Sequence, residues 1–516
     1  MPIYSEGSIN LTAQVVPNLF VTITPPRVQL VTGVPTNVVG VVGTSSWGPT
    51  GIPMPAGGYS DYVRNFGPIV ARPRDMGTLV AMANQQGATV FKCVRVTDGT
   101  DTAAQVVVLT NCITLTSKHS GSLGNLTTVS ISPGSKTGTT RAIVSLPQAG
   151  FIPEVFDNVE GSGNTFWVNL ANTINNGQFG TRSGSEIVIA TAGVGATAPA
   201  TATYTLAGGT DGAASVTDAM LVGQDTTPRT GMYALRGAGA TVAALAECTD
   251  TSTWPAQVAF GQAEAVYMML QGPKGDTVSA AVAAKASAGV DNYAAKVLFG
   301  DWIYWMDNAS GIPERLCSPQ GIALGRYATL SPEQSALNKQ VFGVVGTQRT
   351  KLARPYSEAD LQMLGQAGID TITNPVPGGS YFGFRFGRNS SSNPTIRGDN
   401  YTRMTNYLAT TLDAGMGRFV GRLHSERLRS QCKQTLDNFL EAMMPSNPQA
   451  DDGMIEDHLV VCDESNNPPN RRGMGWLTAT VQVRYLSIVE YLQVSLEGGQ
   501  TVQITRQRIA TAAGAV

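Results

Sequence analysis

The sequence predicts an α+β multidomain protein: a mixed α/β core interrupted by an inserted β-rich domain, a C-terminal α/β domain, and extended β-arms at both ends. Three observations predict it. Strand-like and helix-like patterns alternate over residues 25–99 and again over 208–374. Between them, residues 100–207 turn rich in Thr, Ser, Gly and Val, with closely spaced Gly, Pro and Asn turns, the pattern of an all-β or β-rich module. From 375 to 498, two amphipathic helical stripes are followed by alternating strands.

Residues 1–24 read as an N-terminal arm. Val15, Val16, Phe20 and Val21 favour a strand, and Pro17 and Asn18 interrupt it, which suits pairing at an edge. The stretch 28–43 reads as buried strands punctuated by Gly33, Gly40 and Gly43. Residues 61–67 form a helical turn ending at glycine, 78–86 a helix and 89–96 a strand. After the β-rich module, 279–287 is an Ala-rich helix and 297–306 an aromatic strand. At 357–368 Ser357 caps a helix, Asp360 sits at its third position, Leu361 and Leu364 face inward, and Gly365 and Gly368 end it.

The segment from Asn374 to Gly379 opens the last domain. Met404, Tyr407, Leu408 and Leu412 share one face of a helix over 399–412. Leu428, Cys432, Leu436, Phe439, Leu440 and Met443 do so over 425–444, and Pro445 ends that helix. A buried strand is expected at 459–462, with further strands at 476–485 and 488–496. In the last, Leu492, Val494 and Leu496 alternate with polar neighbours. Residues 499–516 are a small, polar C-terminal tail.

The chain has 516 residues, 42% of them hydrophobic and only 14% charged, against roughly 25% in an ordinary soluble domain. Large size with few charges favours assembly over a free monomer. A net charge of −2 gives no electrostatic footprint for nucleic acid. No run approaches the ~20 apolar residues of a membrane span, and the first residues lack the pattern of a secretory signal. Cys93, Cys112, Cys248, Cys317, Cys432 and Cys462 are scattered, as for reduced buried thiols.

Residue chemistry offers little catalysis. His458 and Cys462 are four apart, but on a strand that separation is ~13 Å, too far for one metal. Asp463 and Glu464, followed by Ser465 to Pro469, read as a polar turn. Gly33, Gly40 and Gly43 match neither nucleotide-loop spacing, and the loop Gly272 to Thr277 contains Pro273, which removes an N–H donor. Trp302, Trp305, Tyr304 and Phe299 read as core. Arg418, Arg422, Arg427, Arg429 and Lys433 concentrate positive charge; they form a solvated helix face or a docking face for an acidic protein. No catalytic residue, cofactor or metal ligand is assigned.

One set of segments resembles a known family. Gly33 to Pro49 (Gly-Val-Pro-Thr-Asn-Val-Val-Gly-Val-Val-Gly-Thr-Ser-Ser-Trp-Gly-Pro) resembles the opening block of bacteriophage contractile tail sheath proteins. Tyr59 to Gly67, Phe91 to Val96, Ser120 to Asn125, Leu206 to Gly212, Gly368-Ile-Asp370 and Val461 to Pro468 follow in the family's order. The match is looser from Arg315 to Arg326 and in the loop at Asp451 and Asp452. The resemblance implies a non-enzymatic subunit of a six-start helical cylinder around an inner tail tube. That cylinder contracts to drive the tube through the host envelope for genome ejection. It further implies partners in other copies of the chain, the tube, the baseplate and the tail terminator, and a place in the virion tail after assembly in the host cytoplasm. Neighbouring subunits would exchange arm strands, here Val15, Val16, Phe20, Val21, Leu492, Val494 and Leu496. The five basic residues would face the tube. A tailocin or related injection-system sheath, a nucleotide-binding α/β enzyme, and an adhesin or capsid-like surface protein are the alternatives.

Overall fold

A computed structural model describes residues 3–6, 20–23, 31–178, 180–447, 450 and 452–496. Its centre is a seven-stranded sheet built from β1 (Val38–Gly43), β2 (Met54–Ala56), β3 (Val90–Arg95), β4 (Val242–Leu245), β5 (Tyr267–Gln271), β6 (Ala295–Leu298) and β7 (Ile369–Asp370). The order across the sheet is β7-β6-β5-β4-β1-β3-β2. Every pairing is parallel except β2 against β3. β1, β4, β5 and β6 are apolar or small along almost their whole length, as strands covered on both faces must be.

Two cores sandwich the sheet. On one face α1 (Tyr59–Phe66) and α2 (Met76–Gln85) pack with α6 (Gln320–Thr329), burying Tyr62, Phe66, Leu79, Ile322 and Tyr327. On the other lie α4 (Trp254–Glu264), α5 (Val278–Ser287) and α7 (Glu358–Gln366), burying Trp254, Phe260, Ala281 and Leu364. The helix expected at 357–368 forms with its reciprocal Ser357–Asp360 capping box, worth about 1 kcal/mol. Leu364 is buried there, while Leu361 is half-buried.

Between β3 and β4 the chain builds a body with its own core. A four-stranded and a three-stranded antiparallel sheet enclose Leu115, Val129, Phe156 and Trp167. This stretch is not purely β. It contains α3 (Asn164–Asn176), whose Phe166, Trp167, Leu170 and Ile174 face inward. Five Asn in that helix disguise its 3.6-residue period, because asparagine is a weak helix former.

The incoming and outgoing strands run side by side, with Thr102 bridged to Thr210 and Asp98 N–H donating to Gly212 O. Arg95, with no exposed surface, pins this root. It donates to the carbonyls of Gly48 and Ser120, both at 2.7 Å, and of Asp211 at 3.0 Å. Trp47 leaves the α/β core and buries its ring in the β-rich core, with Nε1 donating to Ser117 Oγ at 3.0 Å. Gly121 has φ +134°, and a Cβ there would lie 2.1 Å from Ser46 O, so only glycine lets the two bodies close.

Past β7, α8 (Asp399–Met416) and α9 (Glu426–Glu441) pack with a two-stranded antiparallel sheet, β8 (Ile455–Val461) and β9 (Thr480–Tyr485). All six apolar residues expected on the second helix are buried, and Met404 and Leu408 of the first join them.

Several local expectations change. Residues 31–37 are not strand; Pro35 cannot donate to a ladder, and β1 begins only at Val38. The stretch 297–306 is two strands in different sheets, β6 and Ile303–Asp307, separated where Gly300 approaches Pro273 O too closely for any side chain. At 459–462 the strand starts earlier, and a register shift between Ile455 and Asp457 leaves Leu459 exposed while Val460 is buried. At 476–485 only Thr480–Tyr485 pairs. Residues 488–496 carry no ladder at all, because no described strand lies beside them.

Candidate functional site

Three features of the last third of the chain bear on function: an open sheet, a clamped C-terminal segment and a basic loop. The β8–β9 sheet has two strands only, so each outer edge lacks a ladder partner among the described residues. Helix α9 covers one of its faces. An uncovered edge presents unpaired N–H and C=O groups, a template for another strand.

The chain leaves β9 and runs across α8. Asn400 Nδ2 donates to Leu486 O at 2.9 Å. Glu490 is held by two guanidinium groups, Arg388 and Arg397, the latter at 2.9 Å, and Arg388 also donates to Tyr491 OH at 3.1 Å. Beyond this clamp Leu492, Val494 and Leu496 stand 84%, 77% and 90% exposed. Their alternation is real in sequence, but without a facing strand it buries neither side. At the other end, the described arm strands are Ile3–Glu6 and Phe20–Ile23, which pair in parallel with each other. Phe20 and Val21 lie in the second; Val15 and Val16 fall outside the described residues.

The clamp is tied to a buried polar cluster that sequence reasoning missed. Lys296 on β6 donates to Asp370 Oδ2 at 2.5 Å and to the carbonyl of Arg388 at 2.8 Å, and lies 3.4 Å from Asp399 Oδ1. All three charged side chains are essentially inaccessible. Asp399, at the start of α8, also accepts from Tyr267 OH at 2.7 Å and from Tyr327 OH. Asp370 accepts the backbone N–H groups of Thr371, Phe386 and Gly387. Burial, reinforced by the Asp399 charge, pushes both tyrosine hydroxyls well above their ordinary range, so they remain donors. Arg403 of α8 donates to the carbonyls of Leu330 and Ser331, and burial lowers its guanidinium to about 10. Each charge is satisfied, which is what a buried ionic cluster requires. Its chemistry is structural: it fastens α8 to the seven-stranded sheet. The available signal was one lysine in the apolar run Ala294 to Leu298.

The five basic residues are not one surface. Arg429 lies beside the apolar stripe of α9; its side chain is 4% exposed and points to Glu464 at 3.4 Å and His424 at 3.5 Å. It therefore cannot be a docking residue, and the correction follows from its place next to Leu428 and Cys432. Arg427 and Lys433 are exposed on the outer face of α9. Arg418 and Arg422 each lie 5.7 Å from the Phe419 ring, in a loop where Val420 and Leu423 are 84% and 91% exposed.

The remaining candidates resolve into structure. Asp463 accepts from Ser465 within a turn, and Glu464 reaches Arg429 and Arg472. His458 lies 3.9 Å from Asp437, and no metal-holding group of three or more His, Cys, Asp or Glu exists among the described residues. A Cβ at Gly40 would meet Ala243 and Leu235 at 3.0 Å, at Gly43 Ala246 at 2.9 Å, and at Gly33 Tyr407 Oη at 2.1 Å. These glycines serve packing. Trp302, Trp305 and Phe299 are buried.

No protein-family profile matches the chain, and no curated protein matches it in sequence. Solved structures do match. A sheath tail protein from Desulfitobacterium hafniense aligns over 87% of this chain and 93% of that one, with TM-score 0.54 and 14% identity. A sheath tail protein from Listeria innocua aligns over 88% and 96%, with TM-score 0.58 and 13% identity. The sheath of an extracellular contractile injection system, PVC, in its contracted state, aligns over 94% and 98%, with TM-score 0.51 and 9% identity. At identities this low the likeness speaks for the fold, and the fold is that of contractile sheath proteins.

Proposed function

We propose that the chain is the sheath subunit of a contractile tail. It would polymerise as a helical cylinder around an inner tube and contract to drive that tube through a host envelope for genome ejection. The observation that carries this reading is the shared fold over nearly the whole length of both partners in each alignment. Residues 1–24 and 499–516 would be arms, 25–99 with 208–374 the α/β domain, 100–207 the inserted domain and 375–498 the C-terminal domain.

The open β8–β9 sheet and the exposed Leu492, Val494 and Leu496 support strand exchange between copies. Such contacts are heterologous and build open helices. Arg418, Arg422, Arg427 and Lys433 would face an acidic tube surface, with baseplate and terminator proteins closing the ends. The work would come from two packings of one rigid subunit, the extended one kinetically trapped. Gains of even ~5 kcal/mol per subunit, the scale of one domain's stability, would sum to hundreds of kcal/mol over about a hundred subunits.

Negative-stain electron microscopy of the purified protein tests the proposal. Hollow cylinders are expected; monomers or closed rings at every concentration and salt condition would overturn it. A sheath of a phage-like injection system fits the same fold, and the particle isolated from the source cells, with or without a DNA-filled head, decides between the two.

A further inference from the structure

The seven-stranded sheet has a topological switch point: β1 pairs with β3 on one side and with β4 on the other, and the loops after β1 and β4 diverge. Open parallel sheets bind ligands in the crevice at that point, beyond the C-terminal ends of the strands. Here that place holds a cavity of about 400 Å³, at the small end of the range for ligand pockets.

Its lining is basic. Arg72 and Arg74 come from the loop before α2, Lys274 from the loop after β5, and Arg315 from the strand Ile312–Cys317; Glu247 is the one acid, and Trp302 forms a wall. Three of the bases are braced from behind by carboxylates outside the lining: Arg72 by Asp211 at 2.5 Å, Arg74 by Asp218 at 2.6 Å and Arg315 by Asp307 at 3.3 Å. Bracing fixes the guanidinium groups without using all their donors. Arg72 keeps Nε and Nη2 buried with no hydrogen-bond acceptor among the described residues, a costly state; both atoms are enclosed, so an oxyanion in the crevice would reach them only after the side chain turns. Lys274 is exposed, makes no side-chain hydrogen bond or ion pair among the described residues, and lies 5.9 Å from the centre of the Trp302 ring.

The backbone is strained at the same spot. Arg74 and Glu247 both hold left-handed conformations, φ +58° and +49°, and the Glu247 carboxylate accepts the Arg74 N–H at 3.3 Å. Non-glycine residues in that region cluster at ligand sites. The loop Gly272 to Thr277 thus supplies a side chain, Lys274, where Pro273 denies it a backbone cradle.

We propose that this crevice binds a phosphate group, either free orthophosphate or that of a small phosphate ester, between Arg72, Lys274 and Arg315. Several guanidinium and ammonium donors on one small cavity suit a dianion with three or four acceptor oxygens better than a carboxylate with two. The site stands apart from the sheath reading and would exist in a free subunit.

Calorimetric titration of the full-length protein with inorganic phosphate, pyrophosphate, AMP and acetate at matched ionic strength tests it. One-site saturable binding of the phosphates over acetate is expected. Tighter AMP than phosphate identifies an ester site, and the reverse identifies free phosphate. Lys274→Ala, which removes no hydrogen bond of the fold, is expected to weaken binding about tenfold or more, the loss of one charge-assisted contact; Lys433→Ala on α9 is expected to leave it unchanged. No saturable binding of any phosphate at roughly 10 mM, well weaker than a ~1 mM Kd, overturns the proposal. So does acetate binding as well as phosphate, or an unchanged affinity in Lys274→Ala.

Discussion

Lys296 with Asp370 and Asp399, and the C-terminal segment that carries Leu492, Val494 and Leu496, lie at two ends of one hydrogen-bonded chain. Lys296 reaches the Arg388 backbone, and the Arg388 side chain reaches Glu490. At one end charge is fully buried and fully paired. At the other, apolar side chains are fully exposed on an unpaired backbone. The first arrangement has one low-energy geometry, because any displacement strands a charge in a dry interior. The second has no covering partner among the described residues. Under the proposed function, a rigid body carrying an uncovered strap would suit strand exchange between subunits.

The largest test of this contrast removes the strap. Deleting residues 492–516 is expected to abolish cylinders under electron microscopy while the thermal midpoint shifts by no more than about 2 °C, since Leu492, Val494 and Leu496 are exposed and join no core among the described residues. Cylinders of normal length from this protein would break the assignment, and the same holds for deletion of residues 1–20. Next comes the buried end. Lys296→Met leaves two aspartates unpaired and is expected to cost about 3–5 kcal/mol in denaturant unfolding; a loss under about 1 kcal/mol would mean that the cluster does not fasten α8.

A smaller effect concerns the root of the β-rich body. His119 stacks edge-on against Trp47, centroids 4.9 Å apart, and burial lowers its imidazole from 6.5 to about 4. The unfolded chain therefore binds a proton that the folded one refuses between those values. Stability is expected to fall as pH drops from 6.5 to 4, and His119→Gln should flatten that slope in pH-dependent thermal unfolding. A slope that persists unchanged would place the titration elsewhere. The mildest change is Glu490→Gln. Partly exposed ion pairs contribute at most about 1 kcal/mol, so global stability should hold while limited proteolysis after Leu486 speeds up. An unchanged cleavage rate would mean that the clamp does not hold the segment.

How much was legible follows from the kind of signal. The α9 stripe and the Ser357 cap are local periodicities and pairings, so 3.6-residue spacing and a Ser-x-x-Asp pattern were enough to find them. The α3 helix was hidden by its asparagines, and Arg429 looked like a surface charge because four other basic residues lie near it in sequence. Its orientation depends on rotation about α9, which spacing from Leu428 could have shown. The Lys296 cluster draws on β5, β6, α6, β7 and α8, more than a hundred residues apart, and no local window contains it.

By itself the sequence determined the alternation of strands and helices, the β-rich middle, the amphipathic C-terminal helices and a set of ordered blocks like those of sheath proteins. These depend on residues within a few positions of each other, where period and capping act. Only the tertiary structure decided that Trp47 belongs to the β-rich core, that Arg429 faces inward, that Lys296 fastens α8 to the sheet, and that four basic side chains meet at the switch point. Those depend on burial, and burial is set by which distant segments pack together.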